Sequence, residues 1–179
     1  MNKKSISKFL SLILRHKPEE LGIVLNEEGW ASTQELVSKM TAKGMNVNLE
    51  IIQEVVSESD KQRFKLSDDK KHIRANQGHS INVNLGLKSI NPTDILFHGT
   101  ALKNRESILE HGIKKRNRQH VHLSNDKFTA LKVGQRHGKP LIFLINSSQM
   151  VEDGLAFYKS ENGVWLTDYV APKYLKFEN

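Results

Sequence analysis

The sequence predicts an α+β protein of two lobes, three helices and a hairpin first and a mainly β lobe after them. Three observations lead there. Apolar residues recur every three or four positions in the first part of the chain, the period of an amphipathic helix. From Phe64 onward the pattern changes to alternation and to short apolar runs of strand length. Between the patterns, residues 81–93 carry Gly86 and Pro92 and neither period, so they read as a connector between a lobe of residues 1–80 and a lobe of residues 94–179.

Taken in order, Ile6, Phe9, Leu10, Ile13 and Leu14 place a helix over residues 5–15 with Ser5 as its N-cap. It carries Arg15-His16-Lys17 to its C-terminal end, where Pro18 stops it. A second helix starts behind the Ser32-Thr33 cap, with Glu35 following, and runs to about residue 43. A third, over 48–57, carries Leu49, Ile51, Ile52, Val55 and Val56. Phe64-Lys65-Leu66 and His72-Ile73-Arg74 alternate about the polar turn 67–71 and form a hairpin. Three helices followed by a hairpin is a winged-helix arrangement, a common platform for nucleic acid, though a fold alone does not fix a function. In the second lobe strands are expected over 95–98, 121–123, 141–145, 156–158 and 174–177, with helices over 103–111 and 125–136.

Composition removes several function classes. There is no Cys, which excludes disulfides and thiolate metal sites. No apolar run reaches the ~18–20 residues of a membrane span, and the opening MNKKSISKFLSLILRHK lacks a small-residue cleavage pattern. A cytoplasmic protein with no membrane partner is expected, and with no exposed apolar heptad, a monomer. The formal net charge of +7 is concentrated: residues 101–139 hold ten Lys or Arg against Glu106, Glu110 and Asp126. Such a block is either a solvated face or the footprint of a phosphate-rich partner.

Three polar clusters carry the chemistry: Ile73-Arg-Ala-Asn-Gln-Gly-His-Ser80, His98-Gly99-Thr100 after an apolar strand, and Arg118-Gln-His-Val-His-Leu-Ser124. The first sets cationic, amide, imidazole and hydroxyl groups side by side, the composition of a site for an anion. Basic residues at the end of the first helix are favoured by the macrodipole without any ligand, and Arg63 or Arg118 alone reads as a solvated residue. Convergence would change that reading, because the arginine fork matches phosphate oxygens bidentately and a histidine beside it can donate a proton near pH 7. His120 and His122, two apart on a strand, face the same way, but no Cys or suitably spaced Glu joins them and no metal is expected. Neither a Walker A sequence nor Gly-x-Gly-x-x-Gly occurs.

Together Leu10-Ser-x-Ile-Leu-Arg-His-Lys-Pro18, Gly29-Trp30, Arg63-Phe64, Ile73-Arg-Ala-x-Gln-Gly-His-Ser80, His98-Gly-Thr100, Arg118-x-His-Val-His-Leu-Ser124 and Glu161-Asn-Gly-Val-Trp-Leu-Thr167 resemble the RNA 2′-phosphotransferase (KptA) family, in order along almost the whole chain. The resemblance implies a winged-helix lobe that holds RNA and an ADP-ribosyltransferase-like lobe that holds NAD⁺, consumed as co-substrate. The implied partner is an RNA with an internal 2′-phosphate, as at a tRNA splice junction. That phosphate attacks C1″ of the nicotinamide ribose and expels nicotinamide. Ribose O2″ then attacks phosphorus, freeing the RNA 2′-OH and giving ADP-ribose 1″,2″-cyclic phosphate.

Carried over by motif, the catalytic set is Arg15, His16, Arg63 and Arg118. The first three would grip the 2′-phosphate, and Arg118 would stabilise charge in transesterification. Relative to the His-Tyr-Glu signature of ADP-ribosyltransferases, His98 takes the first position, His122 replaces Tyr and Val164 replaces Glu. A phosphate nucleophile is already anionic and does not need the missing base. His98, Gly99, Thr100 and Ser124 would lie by the cofactor. Arg74, Gln77, His79 and Ser80 fall at the family's lobe junction, touching substrate or cofactor, or, for Gln77 and Ser80, serving structure. Two other readings stay open: an ADP-ribosyltransferase acting on terminal nucleic-acid phosphates that stops after the first step, and a non-catalytic nucleic-acid binding module.

Overall fold

A computed structural model describes residues 2–59, 61–92 and 95–177. The protein is α+β, as expected, and divides into two compact units, Met1–Gly86 and Leu87–Asn179.

The first unit opens with α1 (Lys3–Arg15), two residues longer than the sequence predicts. Asn2 is the N-cap, its side chain accepting from the Ser5 N–H at 2.9 Å, so Ser5 lies inside the first turn. A short strand, β1 (Ala31–Ser32), leads into α2 (Thr33–Ala42), capped by the Ser32 hydroxyl on the Glu35 N–H at 3.3 Å. Asn48 caps α3 (Leu49–Ser57) in the same way. The expected hairpin forms as β2 (Phe64–Leu66) and β3 (His72–Ala75). β3 is central in a three-stranded antiparallel sheet of order β1-β3-β2. One apolar core fills the unit: Ile6, Leu10, Ile13 and Leu14 from α1 meet Leu36, Met40, Ile52 and Val55 from α2 and α3, with Phe64, Ile73 and Ala75 from the sheet. Because successive strand residues face opposite sides, burial of Ile73 and Ala75 turns Arg74 outward.

Within residues 81–92 the segment is anchored at several points. Val83 is buried and the Asn84 N–H donates to the Glu27 carbonyl at 2.8 Å within the first unit. Ile90 N–H donates to Phe157 O at 2.9 Å within the second. Residues 93 and 94, where the connector was expected to give way to the second lobe, lie outside the described residues.

The second unit begins with β4 (Ile95–Ala101), longer than the expected 95–98. After a 3₁₀ turn come α4 (Arg105–His111), β5 (Ile113–Lys114) and β6 (Val121–Leu123). Then follow α5 (Lys127–Gly134), capped by Asp126, and β7 (Pro140–Asn146). The short helix α6 (Ser147–Glu152), capped by Asn146, was not predicted. The chain closes with β8 (Tyr158–Lys159), β9 (Trp165–Thr167), β10 (Tyr169–Val170) and β11 (Leu175–Phe177). Two three-stranded antiparallel sheets result, β11-β7-β4 and β6-β9-β8, alongside the pair β10-β5. An isolated bridge joins the two sheets: Phe97 and Ser124 exchange both backbone hydrogen bonds, at 2.8 and 2.9 Å. Leu96, Phe143, Ile145, Met150, Phe157 and Trp165 are among the buried residues of its core.

Candidate active site

In the first unit the expected phosphate-binding residues come from the end of α1, the entry to β2, and β3 with the loop after it. Arg15 Nη2 donates to the Arg63 carbonyl at 3.2 Å, and its guanidinium lies 5.8 Å from the Phe64 ring centroid. Gly78 packs beside it with a φ of +88°, a conformation that favours glycine. His16 Nδ1 lies 2.9 Å from Ser80 Oγ, and the Ser80 N–H donates to the Arg15 carbonyl at 2.9 Å. The loop thus satisfies a carbonyl that the helix end would leave open.

Arg63 Nη1 donates to Ser59 Oγ at 3.4 Å. Arg74 stacks 4.6 Å over the Trp30 ring, a cation–π contact that holds its guanidinium flat. Gln77 is half-buried in the same loop. His79 is only 1% exposed, and neither of its ring nitrogens has a hydrogen-bond partner. Gly29 lies beside it with a φ of +80°, a backbone conformation that accounts for the Gly next to Trp30.

In the second unit the bridge between the sheets sets His98 beside the β6 backbone. His98 Nδ1 donates to the His122 carbonyl at 3.1 Å, so the neutral ring carries its proton there and leaves Nε2 as an acceptor. Burial pushes the His98 imidazole below its ordinary value, against that hydrogen bond, and the charges of Arg116 and Arg118 push the same way as burial. Thr100 is 7% exposed and accepts from Asn104 Nδ2 at 2.9 Å. Gly99 faces the opposite side of β4, where the Ala130 carbonyl of α5 occupies the space a side chain would need. His122 is half-buried on the face of β6 opposite Val121 and Leu123. Val164 closes the turn before β9, donating to Ser160 Oγ at 3.0 Å and accepting from the Ser160 N–H at 2.9 Å. Arg118 is exposed in the loop between β5 and β6. His120 makes a tilted ring contact with Tyr158 at 5.6 Å.

A model of the family described as "RNA 2'-phosphotransferase, Tpt1 / KptA family" matches residues 1–169. The chain belongs to this family. Among its relatives, a probable RNA 2'-phosphotransferase of Flavobacterium johnsoniae is 54% identical over 176 residues, covering 98% of this chain and 97% of the relative. Those of Acaryochloris marina and Fusobacterium nucleatum subsp. nucleatum are 53% identical over 171 residues and 50% over 177. The alignments cover 96% and 98% of this chain, and 94% and 99% of those relatives.

Two residues of this 2′-phosphotransferase family member escaped a role in the sequence. Asn76 donates from Nδ2 to the Gln62 carbonyl at 2.6 Å and from its backbone to the Arg63 carbonyl at 3.0 Å. It clamps the entry to β2, where Gln62 takes the unusual φ of +40°. Asn125 accepts from the Trp165 indole and ties the start of α5 to β9. Only the placement of an amide within a basic motif hinted at the first, and nothing hinted at the second.

His79 has a measurable consequence. Burial first, then the neighbouring charges of Arg15, His16 and Arg74, lower it from 6.5 to about 4. Between those values the unfolded chain binds the proton and the folded one does not. Its contribution is therefore complete above about pH 6.5 and is lost as pH falls towards 4. At 1.36 kcal/mol per unit the loss approaches ~3 kcal/mol. Urea unfolding at pH 7.5 and 4.5 should show it, and His79→Leu should make the pH dependence shallower; an unchanged slope would contradict this account.

Proposed function

We propose that the chain is an NAD⁺-dependent RNA 2′-phosphotransferase. On this reading the first unit is a winged-helix lobe that holds the 2′-phosphorylated RNA, and the second is an ADP-ribosyltransferase-like lobe that holds NAD⁺. The observation that carries it, in a member of this family, is that Arg15 is held on the Arg63 carbonyl, His16 on Ser80 and the Arg63 guanidinium on Ser59, all within one stretch of the first unit. A phosphate monoester carries nearly two charges at neutral pH. Donors already in place around it need no reorganisation when charge moves, and electrostatic stabilisation of that kind is commonly the largest catalytic term.

The division of labour follows from each residue's surroundings. Arg15 and Arg63 grip phosphate oxygens, His16 donates to one with its ring set by Ser80, and Arg74, Gln77 and His79 support the loop that packs on Arg15. NAD⁺ supplies an electrophilic C1″ with nicotinamide as leaving group and a ribose hydroxyl for the second transfer. His98 fits it: a half-buried, neutral imidazole with Nε2 as acceptor suits a ribose hydroxyl. Thr100, His122, Ser124 and Val164 line the same side of the reading, and Gly99 contributes by letting α5 close on β4. Arg118, exposed on its loop, neutralises charge as phosphorus is attacked. No side chain needs to act as base on the nucleophile, which agrees with Val164 where a Glu would stand.

The test is to incubate the protein with NAD⁺ and a short RNA bearing one radiolabelled internal 2′-phosphate. Label should pass to ADP-ribose 1″,2″-cyclic phosphate only when NAD⁺ is present. Label held on ADP-ribosylated RNA would replace the reading with a one-step ADP-ribosyltransferase, and unaltered RNA would replace it with a binding module.

A further inference from the structure

The outer face of α1 carries a polar stripe of which the proposed phosphate grip uses only the last member, Arg15. Lys4, Ser7, Lys8, Ser11 and Arg15 stand at i, i+3, i+4, i+7 and i+11, one line along the helix. At 1.5 Å per residue the line is ~16 Å long. It borders a groove of about 400 Å³ whose other wall holds Ser59 and Arg63. The groove therefore reaches one of the residues assigned to the 2′-phosphate, Arg63.

Three features mark the groove as a place for an anion in extended form. Its one carboxylate among the described residues, Glu58, is neutralised by Lys3 at 2.7 Å, and Lys3 also pairs with Glu54 at 2.8 Å. Lys4 and Lys8 are exposed and pair with no carboxylate among the described residues. The first turn of α1 holds Lys3 and Lys4 and no acidic residue, a placement the helix dipole disfavours. Lys3 is compensated by its two glutamates; Lys4 has no such compensation, and uncompensated breaches of local preference concentrate at functional sites. No aromatic ring lines the groove, so base stacking has no platform there.

We propose that this groove is a track for the phosphodiester backbone of the RNA strand flanking the reacting nucleotide, with Lys4 and Lys8 as its phosphate contacts and Ser7 as a neutral donor. The inference rests on the RNA 2′-phosphotransferase reading and extends its substrate from a single phosphate to a strand. Recognition of this kind is independent of base sequence and depends on salt.

The experiment compares the full-length wild type with Lys4→Ala/Lys8→Ala on two single-stranded RNAs carrying an internal 2′-phosphate, a trinucleotide and a 20-mer. Binding of the 20-mer is measured without NAD⁺ as a function of salt, and turnover of both RNAs with NAD⁺. Loss of two phosphate contacts should reduce the slope of log K against log salt by about 1.4. KM for the 20-mer should rise roughly tenfold with kcat unchanged, and the trinucleotide should be processed as by the wild type. Both lysines are exposed, so the variant should melt at or slightly above the wild-type temperature. An unaltered salt slope, or equal losses on both RNAs, overturns the track. If the wild type turns over neither RNA the activity reading fails instead, while the salt slopes still decide whether the groove binds a strand.

Discussion

Arg15→Ala is expected to lower single-turnover transfer from a 2′-phosphorylated RNA by ~10²–10³-fold, the usual cost of removing one fixed donor from a charge-stabilising site. The size follows from how the side chain is held. Its guanidinium donates to the Arg63 carbonyl at 3.2 Å, lies over Phe64, and packs against the backbone of Gly78, whose φ of +88° favours glycine. The fork is thus aimed before substrate arrives. Arg15→Lys keeps the charge but loses the planar pair of donors and should recover little of the rate. The fold should survive both changes, because the Arg63 carbonyl keeps its bond from the Asn76 N–H at 3.0 Å. Single-turnover rates beside thermal melts separate the two effects. A rate within threefold of wild type in Arg15→Ala would show that the phosphate is gripped elsewhere.

The first unit was the more legible of the two. Ser32 and Asn48 stand immediately before amphipathic runs, so cap and period agree and the starts of α2 and α3 could be placed from sequence. At α1 the two signals conflict. Ser5 precedes the first apolar residue, yet Asn2 accepts its N–H and adds Lys3 and Lys4, which carry no apolar period. In the second unit β5, β9 and β10 are two or three residues long, too short for alternation to register, and they exist through partners far along the chain, as Ile113 pairs with Val170 and Leu123 with Trp165. The basic and imidazole residues of the candidate site were visible as motifs. The residues that hold them, such as Asn76 beneath Arg63 and Trp30 beneath Arg74, act through tertiary contacts that composition does not announce.

Gly99→Ala should have the largest effect on stability, and it separates two roles that the His98-Gly99-Thr100 motif confounds. Read from sequence, the Gly lets a cofactor approach. In the fold its missing side chain points at α5, where a Cβ would overlap the Ala130 carbonyl oxygen. A second glycine makes the same approach from the helix: a Cβ on Gly134 would stand 2.8 Å from the Thr100 carbonyl. Neither obstacle is a flexible side-chain end that could swing aside. Both are backbone, so α5 must move off β4 as a body, opening the contact that also backs β7. Overpacking of this kind costs ~1–3 kcal/mol and sometimes more, and the upper part of that range is expected here. For a unit of this size that corresponds to a melting temperature lower by on the order of 10 °C or more. Displacing β4 would also shift His98, so on the proposed function NAD⁺ binding should weaken together with stability. Differential scanning fluorimetry and NAD⁺ titration on the same variant decide the matter. A normal melting temperature with weakened NAD⁺ binding would place the cofactor against Gly99 itself, while a large loss of stability assigns the glycine to the helix that covers the sheet.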